Sequence, residues 1–296
     1  MSTVLSALLS GLGLFFVGVK LIPTHLCEMT GREVRNRVAS LVDHPWRGAL
    51  VGLVAGAATQ STNVVTFIMT SLQSAGLIDV RRAMPVIIWA NVGTSVLVMV
   101  ATVDIRVAVS MLLAVVGLAY YLDVDRSTRF RHLAGALLGV ALLFLGLQLI
   151  KGGAAPLQEM ESVRTALQRA SAWWAALFLV GALVTAVLQS SGTVSAIAAT
   201  MASVGMLTME QTVLIIYGAS VGSAVSLWFL SAALHGVARQ LVVLQVLFKG
   251  LAAAVMLVLL WVELTLGIPL VIALVTPLGS NTGIQSAWVF LLFQLV

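Results

Sequence analysis

Residues 50–77 (LVGLVAGAATQSTNVVTFIMTSLQSAGL) align without a gap on residues 179–206 (LVGALVTAVLQSSGTVSAIAATMASVGM), at an offset of 129. The match resumes where VIIWANVGTSV (Val86–Val96) meets IIYGASVGSAV (Ile215–Val225). About a third of the aligned positions are identical, more than a shared bias toward Leu, Val and Ala supplies. An earlier echo, LFFVGVKLI (Leu14–Ile22) against LLFLGLQLI (Leu142–Ile150), lies one residue out of that register. Whatever this chain folds into must use one structural unit twice.

That unit is made for lipid. Of 296 residues, 60% are hydrophobic and 9% are charged, and the mean hydropathy is +1.08. Soluble domains carry about 25% charged residues, so the chain is an integral membrane protein. A spanning helix needs about 20 apolar residues. Thr3–Ile22, Ala83–Ala101, Ile105–Leu122, Leu133–Ile150, Thr212–Leu230 and Arg239–Trp261 fit that requirement. The first has no basic n-region and no small-residue cleavage site, so it reads as a span and not a signal peptide. Thr24–His44 and Ala155–Ala170 are polar and helix-compatible, and read as interfacial amphipathic helices. The runs Arg47–Gly76 and Trp173–Gly205 are different in kind. Gln60-Ser61-Thr62-Asn63 interrupts the first and Gln189-Ser190-Ser191-Gly192 the second. Each interruption leaves halves of about 13 to 15 residues, too short to span alone.

Charge placement orients the spans. If each interrupted run enters and leaves on one face, each repeat has three crossings and the second is inverted relative to the first. Lys20 and the arginines at 32–47, 81–82, 126–131 and 239 then share a face, opposite Arg106, Lys151, Arg164 and Arg169. A single crossing per run would separate Arg81 and Arg82 from Arg32, Arg35 and Arg37. The positive-inside rule favours the hairpin layout, with the arginine-rich face cytoplasmic and the N-terminus outside an inner (plasma) membrane. The expected fold is an all-α polytopic membrane protein of two inverted-topology repeats, each with a re-entrant helical hairpin broken at a Gln-Ser motif. Repeat 1 covers 1–130 with its hairpin at 46–76, and repeat 2 covers 131–262 with its hairpin at 172–206. Residues 263–296 read as the start of a further transmembrane segment that is cut short. The formal charge of +5 belongs to these loops, and no nucleic-acid partner is expected. Cys27 is the only cysteine, which excludes an intrachain disulfide.

Inside hydrocarbon, unwound backbone survives only where it is buried in protein or lines a cavity. Two matched breaks entering from opposite faces imply one shared central site, a pattern of secondary transporters. A lone Gln-Ser pair would read as helix packing, since Ser, Thr and Gly are common at membrane helix contacts. Two copies at equivalent positions read as a site. No Asp or Glu lies in the middle of a span, which argues against a carboxylate proton relay and against an intramembrane aspartyl or zinc protease. With no nucleophile–base–acid set at membrane depth, the chain does not read as an enzyme, and no organic cofactor is expected. Hydroxyl, carboxamide and carbonyl oxygens suit a hard monovalent cation such as Na⁺. The helix N-termini after each break offer N–H groups and partial positive charge to an anion. Lys249 is the one charged residue deep in a span. Either it snorkels to an interface, or its ammonium enters the central cavity to pair with an anion or to replace a coupling Na⁺. His25, Cys27 and Glu28 have no fourth ligand and read as interfacial residues, not as a metal site.

At Gln60-Ser61-Thr62 and Gln189-Ser190-Ser191 the chain resembles the type II sodium/phosphate cotransporter family, including its bacterial members. That family carries Gln-Ser-Ser-Ser in each of two inverted repeats and Gly-Ala-Asn-x-Gly-Thr on the next helix. The second motif stands here as Trp89-Ala90-Asn91-Val92-Gly93-Thr94 and Gly218-Ala219-Ser220-Val221-Gly222-Ser223. The likeness covers nearly the whole chain in order and spacing, without the cytoplasmic regulatory domain that many bacterial relatives append. It implies Na⁺ and inorganic phosphate held at the hairpin tips by Gln60, Ser61, Thr62, Gln189, Ser190 and Ser191. Asn63, Thr193, Asn91, Thr94, Ser220 and Ser223 would surround them. The sequence departs from the family pattern at three places. The third motif serine is Thr62 in one repeat and Gly192 in the other, the family's Asn is Ser220 in repeat 2, and Lys249 stands where a later helix usually carries Asn.

The reading is a sodium-coupled secondary transporter of inorganic phosphate, working by alternating access between two hairpin tips. Two alternatives stay open: a non-transporting phosphate sensor or scaffold, and a carrier of a different small anion. A homo-oligomer is compatible with each. The fourth motif position, Asn63 against Gly192, predicts more side-chain ligands from repeat 1 and more backbone ligands from repeat 2.

Overall fold

The computed structural model describes residues 2–29, 40–123, 128–161, 165, 174–232 and 236–296. Within them the regular structure is entirely helical. The first half holds α1 (Ser2–Met29), α2 (Pro45–Thr59), α3 (Thr62–Ser74), α4 (Val80–Thr102) and α5 (Arg106–Tyr121). The second holds α6 (Thr128–Ala154), α7 (Trp174–Leu188), α8 (Ser191–Ser203), α9 (Met209–Leu230) and α10 (Gly236–Leu266). The short α11 (Val271–Val275) and then α12 (Thr282–Leu295) close the chain.

Five of these, α1, α4, α6, α9 and α10, are long and apolar enough to cross a membrane, which makes this a multi-pass membrane protein. α5, expected as a further full span, is shorter. Its 16 residues reach about 24 Å at 1.5 Å per residue, less than a hydrocarbon core of ~30 Å. Asp104 sets its start by accepting the Arg106 N–H at 3.2 Å. It ends where Asp123 turns left-handed, with φ 56°. α1 in contrast runs beyond the expected boundary at Ile22, through Pro23 to Met29, with the Thr24 hydroxyl bonded to the Lys20 carbonyl at 2.8 Å. The first expected amphipathic stretch therefore begins as a continuation of α1, and its residues 30–39 lie outside the described ones. The second opens as a 3₁₀ turn, Ala155–Glu159, and most of its remainder also lies outside them. α10 likewise outruns Trp261. Its Glu263 then caps α11, accepting the N–H groups of Leu270, Val271, Ile272 and Ala273 at 2.7 to 3.3 Å.

Three glycine-lined helix pairs frame the bundle. α1 packs along α6 in antiparallel sense: Gly11 faces Gly146 and Ile150, while Gly18 faces Gly139 and Leu143. A Cβ on Gly18 would stand 2.5 Å from the Gly139 carbonyl oxygen and from the Leu143 nitrogen. The helices therefore touch backbone to backbone, as small residues allow in a membrane. In the register of the N-terminal echo, Gly11 corresponds to Gly139 and Gly18 to Gly146, so the Gly11–Gly146 and Gly18–Gly139 contacts are equivalents of each other. The other two pairs are parallel. Gly52 and Gly56 of α2 sit against Val86 and Ala90 of α4, while Phe178 and Ala182 of α7 sit against Gly218 and Gly222 of α9. α3 and α8 lie inside this frame. α8 also packs on α4, and α12 contacts both α8 and α4. Phe15, Leu143, Tyr217 and Phe290 fill the main core, and the Tyr217 and Phe293 rings, 5.4 Å apart, tie α9 to α12.

Gly18→Leu is expected to pry α1 from α6 and lower stability by about 1–3 kcal/mol, as overpacking does. Gly13→Leu on the same helix, where an added Cβ meets nothing within 4 Å, is expected to leave the melting temperature in detergent unchanged. Thermal unfolding of the two variants side by side checks the contact.

Candidate functional site

Both interruptions are built the same way. α2 ends as Gln60 turns left-handed (φ 52°), and α7 ends as Gln189 does so (φ 58°). The next residue, Ser61 or Ser190, is extended, with φ of −147° and −143°. Each serine then N-caps the following helix: Ser61 Oγ accepts the Val64 N–H at 3.4 Å and Ser190 Oγ accepts the Thr193 N–H at 3.3 Å. A left-handed residue other than glycine costs about 1–2 kcal/mol. That cost recurs at two positions related by the repeat offset. The sequence logic is compact: glutamine supplies the turn and serine the cap.

The two breaks touch. Ser190 Oγ donates to the Gln60 carbonyl at 3.0 Å, and Asn63 Nδ2 donates to the Gln189 carbonyl at 3.4 Å. Each left-handed residue thus has its carbonyl satisfied from the opposite break. Ser190 Oγ also accepts the Thr193 hydroxyl at 2.8 Å. Gln60, Ser61, Thr62, Asn63, Gln189, Ser190, Ser191 and Gly192 converge with Thr94, Ser223 and Lys249 on one gap tighter than a water molecule. Lys249 is 5% exposed and its ammonium donates to Ser223 Oγ at 2.8 Å, so it does not snorkel. Among the described residues, no Asp or Glu lines this gap.

What the gap offers is mixed. The first-turn N–H groups of Thr62, Asn63, Ser191 and Gly192 lack intrahelical partners by helix geometry and face the break with positive polarity. The carboxamide oxygens of Gln60 and Asn63 are buried and unbonded, which fits the donor set a hard cation needs. Gln60 is buried while Gln189 is exposed, and a Cβ at Gly192 would stand 3.9 Å from Gln60 Oε1. The two halves of the site are thus unequal in side chains although equal in backbone.

Three expected site residues lie off the gap. Thr193 is held on Ser190. Ser220 is fully buried with its hydroxyl on the Ile216 carbonyl at 3.1 Å. Asn91 lines a neighbouring cavity of about 270 Å³, which also reaches Lys249. Gln245 is a site residue that the sequence reading misses. It lines that cavity one helical turn before Lys249, is buried, and its Oε1 accepts the Thr66 hydroxyl of α3. The i, i+4 spacing of Gln245 and Lys249 in an otherwise apolar span was the available signal. His25 and Glu28 also gain a partner the sequence did not suggest, His132 of α6. The side chain of Cys27 lies outside the described residues.

Paired helix breaks meeting inside a helical bundle, beside a buried ammonium, define a multi-pass membrane protein with an internal polar site. The chain belongs to the Na+/Pi-cotransporter family, whose pattern it matches over residues 14–152 and 157–276. It is 24% identical over 250 residues to the "Putative inorganic phosphate export protein YjbB" of Salmonella typhimurium, covering 84% of this chain and 46% of that protein. YqeW of Bacillus subtilis is 24% identical over 244 residues, 82% of this chain and 78% of its own length. The human "Sodium-dependent phosphate transport protein 2B" is 35% identical over 69 residues, 23% of this chain and 10% of that protein. The chain spans less than half the length of the phosphate export relatives it matches. No solved structure matches it.

Ser190→Ala is expected to cost more stability than Ser61→Ala, because Ser190 caps α8 and also bridges to Gln60, whereas Ser61 only caps α3. The expected losses are about 2 kcal/mol and about 1 kcal/mol, read as melting shifts in detergent.

Proposed function

We propose that the protein carries inorganic phosphate across the inner membrane, coupled to Na⁺, by alternating access at the tips of two inverted hairpins. The observation that carries this reading is Lys249. A buried ammonium bonded to a serine hydroxyl, with no carboxylate among the described residues lining the gap, leaves the site in need of an anion. The family and the names of its relatives point to phosphate as that anion.

Helix directions support the layout. α1 and α6 are counterparts in the repeat, and they run antiparallel, as inverted repeats require. α2 and α4 run parallel, so the intervening α3 serves as the return limb of a hairpin; α7, α8 and α9 repeat the arrangement. The 270 Å³ cavity lies on the halves of α4 and α10 nearest Arg81, Arg82 and Arg239. The arginine distribution favours the cytoplasm for that end, which would make this cavity the cytoplasmic approach to the closed tips. Na⁺ would be held by oxygens of Gln60, Ser61, Thr62, Gln189, Ser190 and Ser191, with the unbonded Gln60 Oε1 first among them. Cation and phosphate neutralise each other in a site of low dielectric, so each binds better with the other present. That mutual neutralisation is the basis of coupling.

Proteoliposome uptake of radiolabelled phosphate under a Na⁺ gradient tests the reading, with sulfate and arsenate as competitors. Saturable, Na⁺-driven accumulation is expected. Lys249→Ala is expected to raise the phosphate KM by on the order of a hundredfold, the cost of losing one partner of a buried charge pair. Phosphate binding without accumulation would instead identify a sensor. Unchanged Na⁺ dependence and unchanged phosphate affinity in Lys249→Ala would remove Lys249 from the site.

A further inference from the structure

Away from the two breaks, α1 and α6 bring three metal-ligating side chains together. His25 and Glu28 lie three residues apart near the end of α1, and His132 lies near the start of α6, where the antiparallel pair brings those ends side by side. Their ligand atoms all lie within 4.8 Å of one another. Both imidazoles present Nδ1 to the same carboxylate oxygen: His132 Nδ1 is 2.9 Å from Glu28 Oε2, and His25 Nδ1 is 3.6 Å from it. Yet both Nδ1 atoms are buried with no hydrogen-bond partner. The approach is close, but it lacks hydrogen-bond geometry. Two imidazole nitrogens and a carboxylate oxygen facing one point, unsatisfied by each other, are the donor set of a cation seat.

We propose that His25, Glu28 and His132 form a divalent transition-metal site of the zinc class, clamping α1 to α6. Two imidazoles with one carboxylate suit Zn²⁺, whereas Ca²⁺ and Mg²⁺ want oxygen alone. Tetrahedral zinc with bonds of about 2.0–2.1 Å sets its ligands about 3.3 Å apart. The observed 2.9 and 3.6 Å bracket that spacing. Seating the ion requires the two imidazoles to close slightly and leaves a fourth position for water. Gly135, one turn after His132, positions the first ligand. The His25 ring lies directly on it, and a Cβ there would strike the ring at Nε2 and both neighbouring carbons. The His25 and His132 ring centroids are 5.8 Å apart, with the ring planes tilted by 46°. Because the ligands come from counterpart helices of the two repeats, the metal would tie one repeat to the other. The site does not depend on the transport reading.

The test is zinc binding by the full chain, purified in detergent and stripped with a chelator. Equilibrium dialysis with elemental analysis is expected to return one Zn²⁺ per chain, with a rise in melting temperature. Co²⁺ in place of Zn²⁺ is expected to give the visible absorption of a tetrahedral nitrogen–oxygen site. His25→Ala and His132→Gln should each weaken binding by at least the roughly 10- to 100-fold that loss of an outer-shell partner costs. Gly135→Ala, which removes no ligand, should weaken it by displacing His25. Absence of stoichiometric binding by the unmodified chain overturns the proposal, and that result needs no variant to fold. Undiminished binding in both histidine variants also overturns it, since the metal would then sit elsewhere. Phosphate uptake is measured separately, so failure of the clamp and failure of the transport reading are distinguishable.

Discussion

Ser190 gives its hydroxyl proton to the carbonyl of Gln60, and Asn63 gives an amide proton to the carbonyl of Gln189. Those two carbonyls belong to the left-handed residues that end α2 and α7, so neither can be used inside its own helix. In hydrocarbon an unsatisfied carbonyl costs several kcal/mol. Each break is therefore satisfied by the other break, and neither half of the chain could keep its interruption buried alone. The need to bring two breaks together explains the frame around them. α2 on α4 and α7 on α9 are drawn to backbone contact by glycines, which places both tips at the same depth. α1 on α6 does the same between the halves.

In the proposed transport cycle, the bonds that close the tips are the ones a ligand would replace. Both are neutral hydroxyl or amide contacts to a backbone carbonyl, so a ligand or entering water would have to take over each carbonyl as the tips part. The cap bonds from Ser61 and Ser190 to the backbone are a separate set and can persist when the tips part. The half-helices then stay formed while the ligand comes and goes. The neighbouring cavity reaches Lys249, so in the proposed cycle an anion would meet the ammonium before the tip-to-tip bonds break.

Much of this was legible in the sequence, and for definite reasons. Apolar length marked the crossing helices, because the bilayer sets that length. The Gln-Ser pairs marked where the helices break, because consecutive polar residues in mid-run leave apolar halves too short to cross. The equivalence of the halves was visible because the same contacts are made twice, as with Gly52 and Gly181 or Thr94 and Ser223. Residues whose role comes from a single long-range contact were not legible. Gln245 meets Thr66 across 179 residues, and His132 meets Glu28 across the α1–α6 pair, with no repeat partner to point to either. The short α5 escapes a hydropathy reading, which counts apolar residues and overlooks caps; Asp104 and Asp123 end the helix although the flanking residues are greasy enough to continue.

Symmetry and asymmetry divide the work in this site. What the repeat doubles is structural: the left-handed glutamine, the capping serine and the glycine-faced partner helix. What the repeat does not double is chemical. Gly192 replaces the counterpart of Asn63, Ser220 replaces that of Asn91, and the position equivalent to Lys249 is Tyr120, at the half-exposed end of α5. Lys249 lies on α10, outside the paired frame, and approaches the gap from one side only, through Ser223. A site with two-fold symmetry would present the same field to a ligand from both repeats. This one concentrates positive charge on the side of repeat 2 and unbonded carboxamide oxygen on the side of repeat 1, where Gln60 and Asn63 lie. Under the proposed coupling, an anion and a cation bound together would have a preferred order across such a gap, anion toward Lys249 and cation toward Gln60. The divergence of the repeats is thus what gives an otherwise symmetric frame a direction.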